Sequence, residues 1–369
     1  MTAGGGTIAG LDAKVAALRD PGSYPEPVSR VEALETHMSW VFLTPRHAWK
    51  LKKPVCLEEQ DFRTLEARRF YCEEELRLNR RLAPQVYLAV VPLRVGGDGR
   101  LRVGGAGEVQ DWLVQMHRLP AASMLDHLLA TGAASAPHMR AVAARLCAFY
   151  RGQPPAPVDA AGYRHLLSGH VRDSGRDLCR PEGGLPEETV RAVCTAQRAL
   201  LRSAATLLER RVRQGRVVEC HGDLRPEHVY LGEPLAIIDC LEFSLRLRIQ
   251  DAADEVGFLA LECERAGAAP LAEVLLQAYR QGSADDVPRE LAHLYQSCRA
   301  IVRGRLAVRH LLEPRTDAAK WRRRARQYLA LAIRHLRAAG IRPAPDRSAS
   351  RRRASAGSLR RTAVRSEAP

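Results

Sequence analysis

Two carboxylates in this chain stand where chemistry could be done. His221-Gly222-Asp223 follows the apolar pair Val217-Val218, and Asp239 closes the apolar run Leu235 to Ile238. Two short buried strands, each delivering an acid at its end, suit a site that holds one base and one divalent cation. Phosphoryl transfer needs that pair, one Asp to take the acceptor hydroxyl proton and another to fix Mg²⁺ between phosphates. Gly-Asp is also a common turn dipeptide. Two acids that merely cap turns are therefore the plain alternative, and the spacing of the pair favours a site.

Lysine usage adds a second signal. The chain has 57 basic residues, of which only five are lysine (14, 50, 52, 53 and 320), and three of those fall within Lys50-Leu51-Lys52-Lys53. Where composition defaults to Arg, clustered Lys points to a need for a compact ammonium on a flexible stem, which suits nucleotide phosphates. A cationic strand end is the rival reading, strongest for Lys53. Glu227 and Glu242 are further oxygen donors near the two acids, or simply exposed charges. Asp251 and Asp254 open a helical pattern, and first-turn acids explain them structurally.

The elements that must position these groups follow from pattern. Residues 1–30 read as a leader, with Gly4-Gly5-Gly6, an amphipathic stretch from Leu11 to Leu18 and a Pro-rich segment. Three short β-type runs follow, Val31 to Thr36, Trp40 to Leu43 and Ala48 to Lys52, with connections short enough for hairpins. Phe62, Leu65, Cys72, Leu76 and Ala83 space a helix over 59–83. Val86 to Val95 and Val109 to Leu119 are apolar strands around a Gly-rich turn. Ala, Leu and Arg then dominate, with helical patterns at 122–131, 135–152, 160–180 and 186–213. After the 217–242 segment come 251–266, 269–281, 286–312 and 316–339.

Composition sets the frame. At 369 residues and 46% apolar content the chain can bury a large core. No apolar run approaches the roughly 20 residues that span a bilayer, and the N-terminus has no secretory pattern. The nine scattered cysteines lack a Cys-x-x-Cys pair and read as buried thiols of a reducing compartment, hence a cytoplasmic protein. Net charge is +15. The 341–369 tail is rich in Arg, Ser and Ala and reads as disordered. With Lys320-Trp321-Arg322-Arg323-Arg324-Ala325-Arg326 it makes 315–365 the one region suited to nucleic acid; a solvated basic face is the favoured reading there.

His221-Gly222-Asp223-Leu224-Arg225-Pro226-Glu227-His228 followed by Ile237-Ile238-Asp239 resembles the catalytic and metal-binding segments of the aminoglycoside phosphotransferase family, a branch of the protein-kinase-like fold. Glu35 to Leu43 and Lys50 to Pro54 resemble a bacterial subgroup in which such a domain often precedes a P-loop ATPase domain. No Gly-x-x-x-x-Gly-Lys-[Ser/Thr] occurs in this sequence, so that partner domain is expected to be missing and the domain to stand alone. The resemblance spans about residues 20–335 and is most specific over 217–254.

It implies an α+β, two-lobed fold: a small β-rich lobe over 31–120 with one long helix, and a helical lobe over 121–340, with nucleotide between them around Met116 to Pro120. It further implies an ATP-dependent kinase of a small-molecule hydroxyl, with Mg²⁺ or alternatively Mn²⁺; a nucleotide-binding regulatory module with weak or no turnover is the alternative. Asp223 would be the general base, His221 a brace of its loop and Asp239 the metal carboxylate. Lys50 would be the phosphate lysine with Lys52 as fallback, Glu75 its helix partner, and Ser39 a phosphate contact in a turn that lacks glycine. Met116 would line the nucleotide. His228 stands where the family usually has Asn. It would ligate a second metal, hydrogen-bond Asp223 or a phosphate, or mark weakened catalysis, and the second of these is preferred.

Overall fold

A computed structural model describes residues 9–57, 60–314 and 316–343. The expected tail over 341–369 lies, apart from 341–343, outside the described residues. The chain divides into two compact units, one of residues 1–154, 218–255 and 277–283, the other of 155–217, 256–276 and 284–369.

The first unit is organised by a six-stranded antiparallel sheet. A helix α1 (Leu11–Arg19) precedes β1 (Glu32–Glu35), β2 (Ser39–Leu43) and β3 (His47–Lys52). A small hairpin of β4 (Cys56–Leu57) and β5 (Gln60–Asp61) leads to helix α2 (Leu65–Asn79), then β6 (Tyr87–Val95), β7 (Leu101–Val103) and β8 (Glu108–His117). Spatial order is β1-β2-β3-β8-β6-β7. Alternation along β3 assigns its residues to two faces. Trp49 and Leu51 join Leu18, Phe42, Leu93 and Leu113 in one apolar cluster, so α1 supplies Leu18 to that face. Ala48 joins Cys72, Tyr87, Val114 and Met116 on the opposite face, which α2 covers. Lys50 and Lys52 therefore point toward α2.

Two boundaries differ from the sequence reading. The helix expected over 59–83 begins only at Leu65, because Gln60–Asp61 pairs back on Cys56–Leu57 and Thr64 caps the helix by accepting from the Ala67 amide. It ends at Asn79 and gives way to a turn before Pro84. The Gly-rich connection after Val95 holds the short strand β7, paired with β6. The rest of this unit includes the helices Leu125–Ala130 and Ala136–Arg151 and the two-stranded hairpin Val229–Tyr230 with Ala236–Ile237.

The second unit is helical. Ala160–Leu178, Arg289–Arg309 and Ala318–Ala338 are its long members. The pattern expected as one helix over 186–213 is two, Glu187–Ser203 and Ala205–Arg213. Ser203 Oγ donates to the Leu200 carbonyl at the break, a local bond that competes with the helix ladder. Among the described residues no helix is long and apolar enough to cross a membrane.

Candidate active site

The hairpin Val229–Tyr230 with Ala236–Ile237 brings the two motif segments together. Its register sets Val229 opposite Ile237, so His228 and Ile238 meet at its open end, where the Ile238 amide donates to the His228 carbonyl. Asp239 follows with φ of 62°, a left-handed conformation that a non-glycine residue adopts at a cost and that clusters at functional sites. Its amide donates to Tyr87 Oη at 3.1 Å. The next amide, of Cys240, donates to Asn79 Oδ1. The side chain of Asp239 keeps 44% exposure.

Lys50 connects this acid to the sheet. Its Nζ donates to Asp239 Oδ1 at 2.7 Å and to Glu75 Oε1 at 2.8 Å. Lys52, two residues along on the same face, donates to the other Glu75 oxygen at 2.6 Å and pairs with Glu242. Glu75 is fully buried on the inner face of α2, together with Arg68, Cys72, Leu78 and Asn79. Lys50 retains 14% side-chain exposure and Lys52 1%, so Lys50 is the more accessible ammonium. Burial disfavours every charge here, yet mutual attraction wins. Despite burial, Lys50 and Lys52 hold the Glu75 carboxyl below its ordinary range, and Lys50 does the same for Asp239. Burial would lower the Lys50 ammonium, but Asp239 and Glu75 raise it well above its usual value. Burial, then Glu75 and Asp239, push the Tyr87 phenol up.

The His221-Gly222-Asp223 loop is held from below. His221 is buried; its Nε2 donates to the Ile238 carbonyl at 2.8 Å, and its Nδ1 accepts from the Asp223 amide at 3.4 Å. Burial lowers its pKa to about 4, so the ring is neutral and its two bonds fix one tautomer. Gly222 has φ of 94°, and a Cβ there would come within 3.0 Å of Leu241 and 3.1 Å of Arg248, which makes glycine the residue that fits. Glu255 accepts from the amides of His221 and Gly222 at 3.0 and 2.6 Å and from Tyr150 Oη at 2.8 Å.

Asp223 and His228 share one corner. His228 Nδ1 lies 2.8 Å from the Asp223 carbonyl, and its Nε2 lies 3.2 Å from Arg225 Nη2 and 3.4 Å from Asp239 Oδ2. A carbonyl only accepts and a guanidinium only donates. Those partners select the tautomer with hydrogen on Nδ1 and a lone pair at Nε2 turned to Arg225. Arg225 Nε stands 2.8 Å from Asp223 Oδ2, and its Nη1 stands 2.7 Å from Glu227 Oε1.

Lys50, Lys52, Glu75, Asp239 and His228 are thus linked by direct polar contacts, with Asp223 joined through His228. Met116 is buried in β8 opposite Ala48 and Tyr87. Ser39 is 2% exposed at the start of β2; its amide donates to Thr36 Oγ1, and its strand partner is Lys52. Among the described residues no side-chain hydrogen bond or ion pair joins Ser39 to Asp239; its link to the cluster is the strand pairing with Lys52. Asp251 Oδ1 accepts from the Ala253 amide as a cap, while Glu255 in the same segment braces the loop. Sequence reasoning passed over Glu255, Tyr87, Asn79 and Arg225. Only Glu255 had a signal, as a third acid beside Asp251 and Asp254.

No family model matches the chain. Uncharacterized proteins of Mycobacterium tuberculosis and Mycobacterium bovis are 30% identical to it over 316 residues, which cover 85% of this chain and 61% of theirs. The chain therefore spans about three fifths of the length of those curated relatives. Among solved structures, a choline/ethanolamine kinase family protein from Mesorhizobium loti superposes with a TM-score of 0.54 at 18% identity, covering 89% of this chain and 99% of that one. A choline kinase from Cryptosporidium parvum Iowa II gives 0.54 at 12% identity, with 90% and 97% covered. The chain has the two-lobed protein-kinase-like fold that its resemblance to the aminoglycoside phosphotransferase family implies.

Proposed function

We propose that the protein is an ATP-dependent phosphotransferase that phosphorylates a hydroxyl of a small molecule. The observation that carries this reading is Lys50, whose ammonium bridges Glu75 and Asp239 beside the Asp223 loop. A lysine held by a buried helix carboxylate and reaching a second, half-exposed acid is the arrangement that phosphoryl transfer uses to place a nucleotide and its cation.

The donor set fits a magnesium nucleotide. Mg²⁺ takes one or two carboxylates and fills its remaining positions with water and phosphate oxygens. Asp239, held ionised by Lys50, supplies such a carboxylate; no group of three or more His, Cys, Asp or Glu placed to hold a metal by themselves occurs among the described residues. The bound cation would neutralise phosphate charge. Lys50 would release Asp239 and hold phosphate oxygens while Glu75 keeps its stem aimed. Asp223 would orient the acceptor hydroxyl and take its proton at a carboxylate oxygen. Arg225, now beside that carboxylate, would favour its ionised form. His221 and Glu255 would position the loop without touching substrate. Met116 would line the base of the nucleotide.

The test is ATP consumption by the purified chain with Mg²⁺ or Mn²⁺, with and without a library of hydroxyl-bearing metabolites, followed by mass detection of a phosphorylated product. An acceptor-dependent product that disappears with EDTA supports the reading. Tight ATP binding with no product from any acceptor or metal would establish instead a regulatory nucleotide binder. That second reading draws on His228 in the Asn position and on a Ser39 amide already committed to Thr36.

A further inference from the structure

We propose that the second unit carries a docking surface for the phosphate backbone of a nucleic acid, built from arginines that converge on Asp177. Asp177 sits at the end of helix Ala160–Leu178 with its side chain only 2% exposed. Its Oδ2 accepts from Arg305 Nε at 2.9 Å and Arg309 Nε at 2.7 Å, one turn apart on helix Arg289–Arg309. Its Oδ1 lies 3.4 Å from Arg180 Nε and 4.0 Å from Arg176 Nε. Asp173 adds one carboxylate and Arg172 one guanidinium. Five arginines against two acids leave a formal surplus of three positive charges in one cluster.

The surplus continues along the surface. Arg180 opens the short turn Pro181–Gly183, whose Glu182 carbonyl accepts from Arg322 Nε at 2.9 Å. A Cβ on Gly184 would lie 3.8 Å from Arg326 Nη2. Arg322 and Arg326 are exposed one turn apart on helix Ala318–Ala338, and the side chains of Arg176 and Arg180 are 69% and 46% exposed. Each guanidinium presents five donors, and those of Arg176 and Arg180 are carried on side chains open to water. Burial would raise the Asp177 carboxyl, but Arg309 and Arg305 hold it low, so it stays an anion that orders the ring.

The form of the surface selects the ligand. Its cations extend along three helices and the turn that Arg180 opens, an elongated array that suits a linear polyanion better than a single phosphate. Arginine forks match phosphate oxygens two at a time. The Trp321 ring beside these arginines is already engaged and offers bases no open platform. Trp321 is stacked on His310 with centroids 3.9 Å apart, and Lys320 and Arg324 lie over the same ring. Binding is therefore to backbone phosphate and independent of sequence. None of these arginines is among the residues of the proposed phosphotransferase site.

Fluorescence anisotropy of the full chain with mixed-sequence 30-mer DNA duplex and RNA tests this, at 50 and 200 mM salt. Binding should weaken steeply with salt, as release of counterions from neutralised phosphates requires. Changing Arg176, Arg180, Arg322 and Arg326 to Gln should lower affinity at least tenfold at 50 mM and flatten the salt slope by roughly one unit per lost phosphate contact. Changing the same four to Lys should retain most of the binding, and nucleotide binding should not move in either variant. If the fourfold Gln variant melts early, the exposed pair Arg176→Gln and Arg322→Gln should still weaken binding about threefold, on the order of half a tenfold step in free energy. Four results would overturn the proposal. They are absence of binding at 50 mM, salt-insensitive binding, loss only when Arg351, Arg352 and Arg353 become Gln, and preference for phosphatidylserine vesicles at equal phosphate.

Discussion

The two charged clusters of this molecule are built on opposite arithmetic. Around Glu75, two lysines meet three carboxylates, Glu75 and Lys52 are almost wholly shielded, and each cation is paired to two acids. Around Asp177, five arginines meet two carboxylates, and several of their side chains lie open to water. Low dielectric makes an unpaired charge in the first cluster expensive and so enforces pairing and fixed geometry; the one carboxylate in excess is tolerated because the Asp239 side chain keeps 44% exposure. Water tolerates a surplus in the second, at the cost of weaker individual contacts. The first arrangement suits placing a phosphate to a fraction of an ångström; the second suits gathering many phosphates loosely.

The largest test of that contrast concerns turnover. Asp223→Asn preserves shape but deletes the proton acceptor, so transfer should fall by roughly 10²–10⁴-fold, with ATP affinity within a factor of about two by calorimetry. Equal turnover in variant and parent would remove Asp223 from the base role. Arg176→Gln, in the other cluster, should leave turnover unchanged.

Lysine substitutions separate positioning from stability. Lys52→Met strands Glu242 beside an apolar side chain and leaves Glu75 with Lys50 alone, and breaking a buried pair from one side costs about 3–5 kcal/mol; urea titration reads it directly. Lys50→Met should instead raise KM for ATP and lower kcat. Its stability loss should be smaller, because Asp239 is half exposed and rehydrates. Arg180→Gln should cost under about 1 kcal/mol, as exposed pairs do. If Lys52→Met harms ATP binding more than Lys50→Met, the two lysines have exchanged roles.

Acid should find the first unit before it reaches the carboxylates. His221 is buried neutral, with its pKa lowered by burial to about 4, against about 6.5 in an unfolded chain. The unfolded chain binds the extra proton first as pH falls. The stability due to neutral His221 is therefore whole above about pH 6.5 and is lost progressively down to about pH 4, on the order of 3 kcal/mol in all. A chemical-denaturation midpoint that is flat between pH 7 and 4.5 would show that the ring already carries its proton in the fold.

Much of this was legible in advance where pattern is local. The alternation of β3 put Lys50 and Lys52 on one face; the apolar runs before the two acids are strands, but Asp223 lies four residues past Val217–Glu219 and Asp239 two past Ala236–Ile237, so neither acid stands at a strand end. The start of α2 was misplaced because the 56–61 hairpin depends on a pairing of two residues with two, too short to leave a periodic signal. Tyr87 and Asn79 were illegible for another reason. Each serves Asp239 or Cys240 from more than 150 positions away, through one side-chain bond to a backbone amide. Such a bond leaves no periodicity. The role of Glu255 was hidden by Asp251 and Asp254, which satisfy the helix-start pattern and draw attention from the acid that holds the loop.

The smallest expected effect concerns His228, and it sharpens the picture of the matched cluster. The ring joins Asp223 to Asp239 through Nδ1 on the Asp223 carbonyl and Nε2 near Arg225 and Asp239. If that bridging is its whole role, His228→Asn keeps an amide donor for the carbonyl and adds a hard oxygen toward Asp239. Mg²⁺-supported turnover should then stay level or rise a fewfold. If imidazole is a metal ligand, the same change should move preference from Mn²⁺ toward Mg²⁺, since amide oxygen is the harder donor. The Nε2 lone pair already faces the Arg225 guanidinium, and entering a coordination shell would require breaking that contact. Retained Mg²⁺ activity with an unchanged ratio of Mn²⁺ to Mg²⁺ rates is therefore the expected result, and a clear switch between metals would assign His228 to the cation.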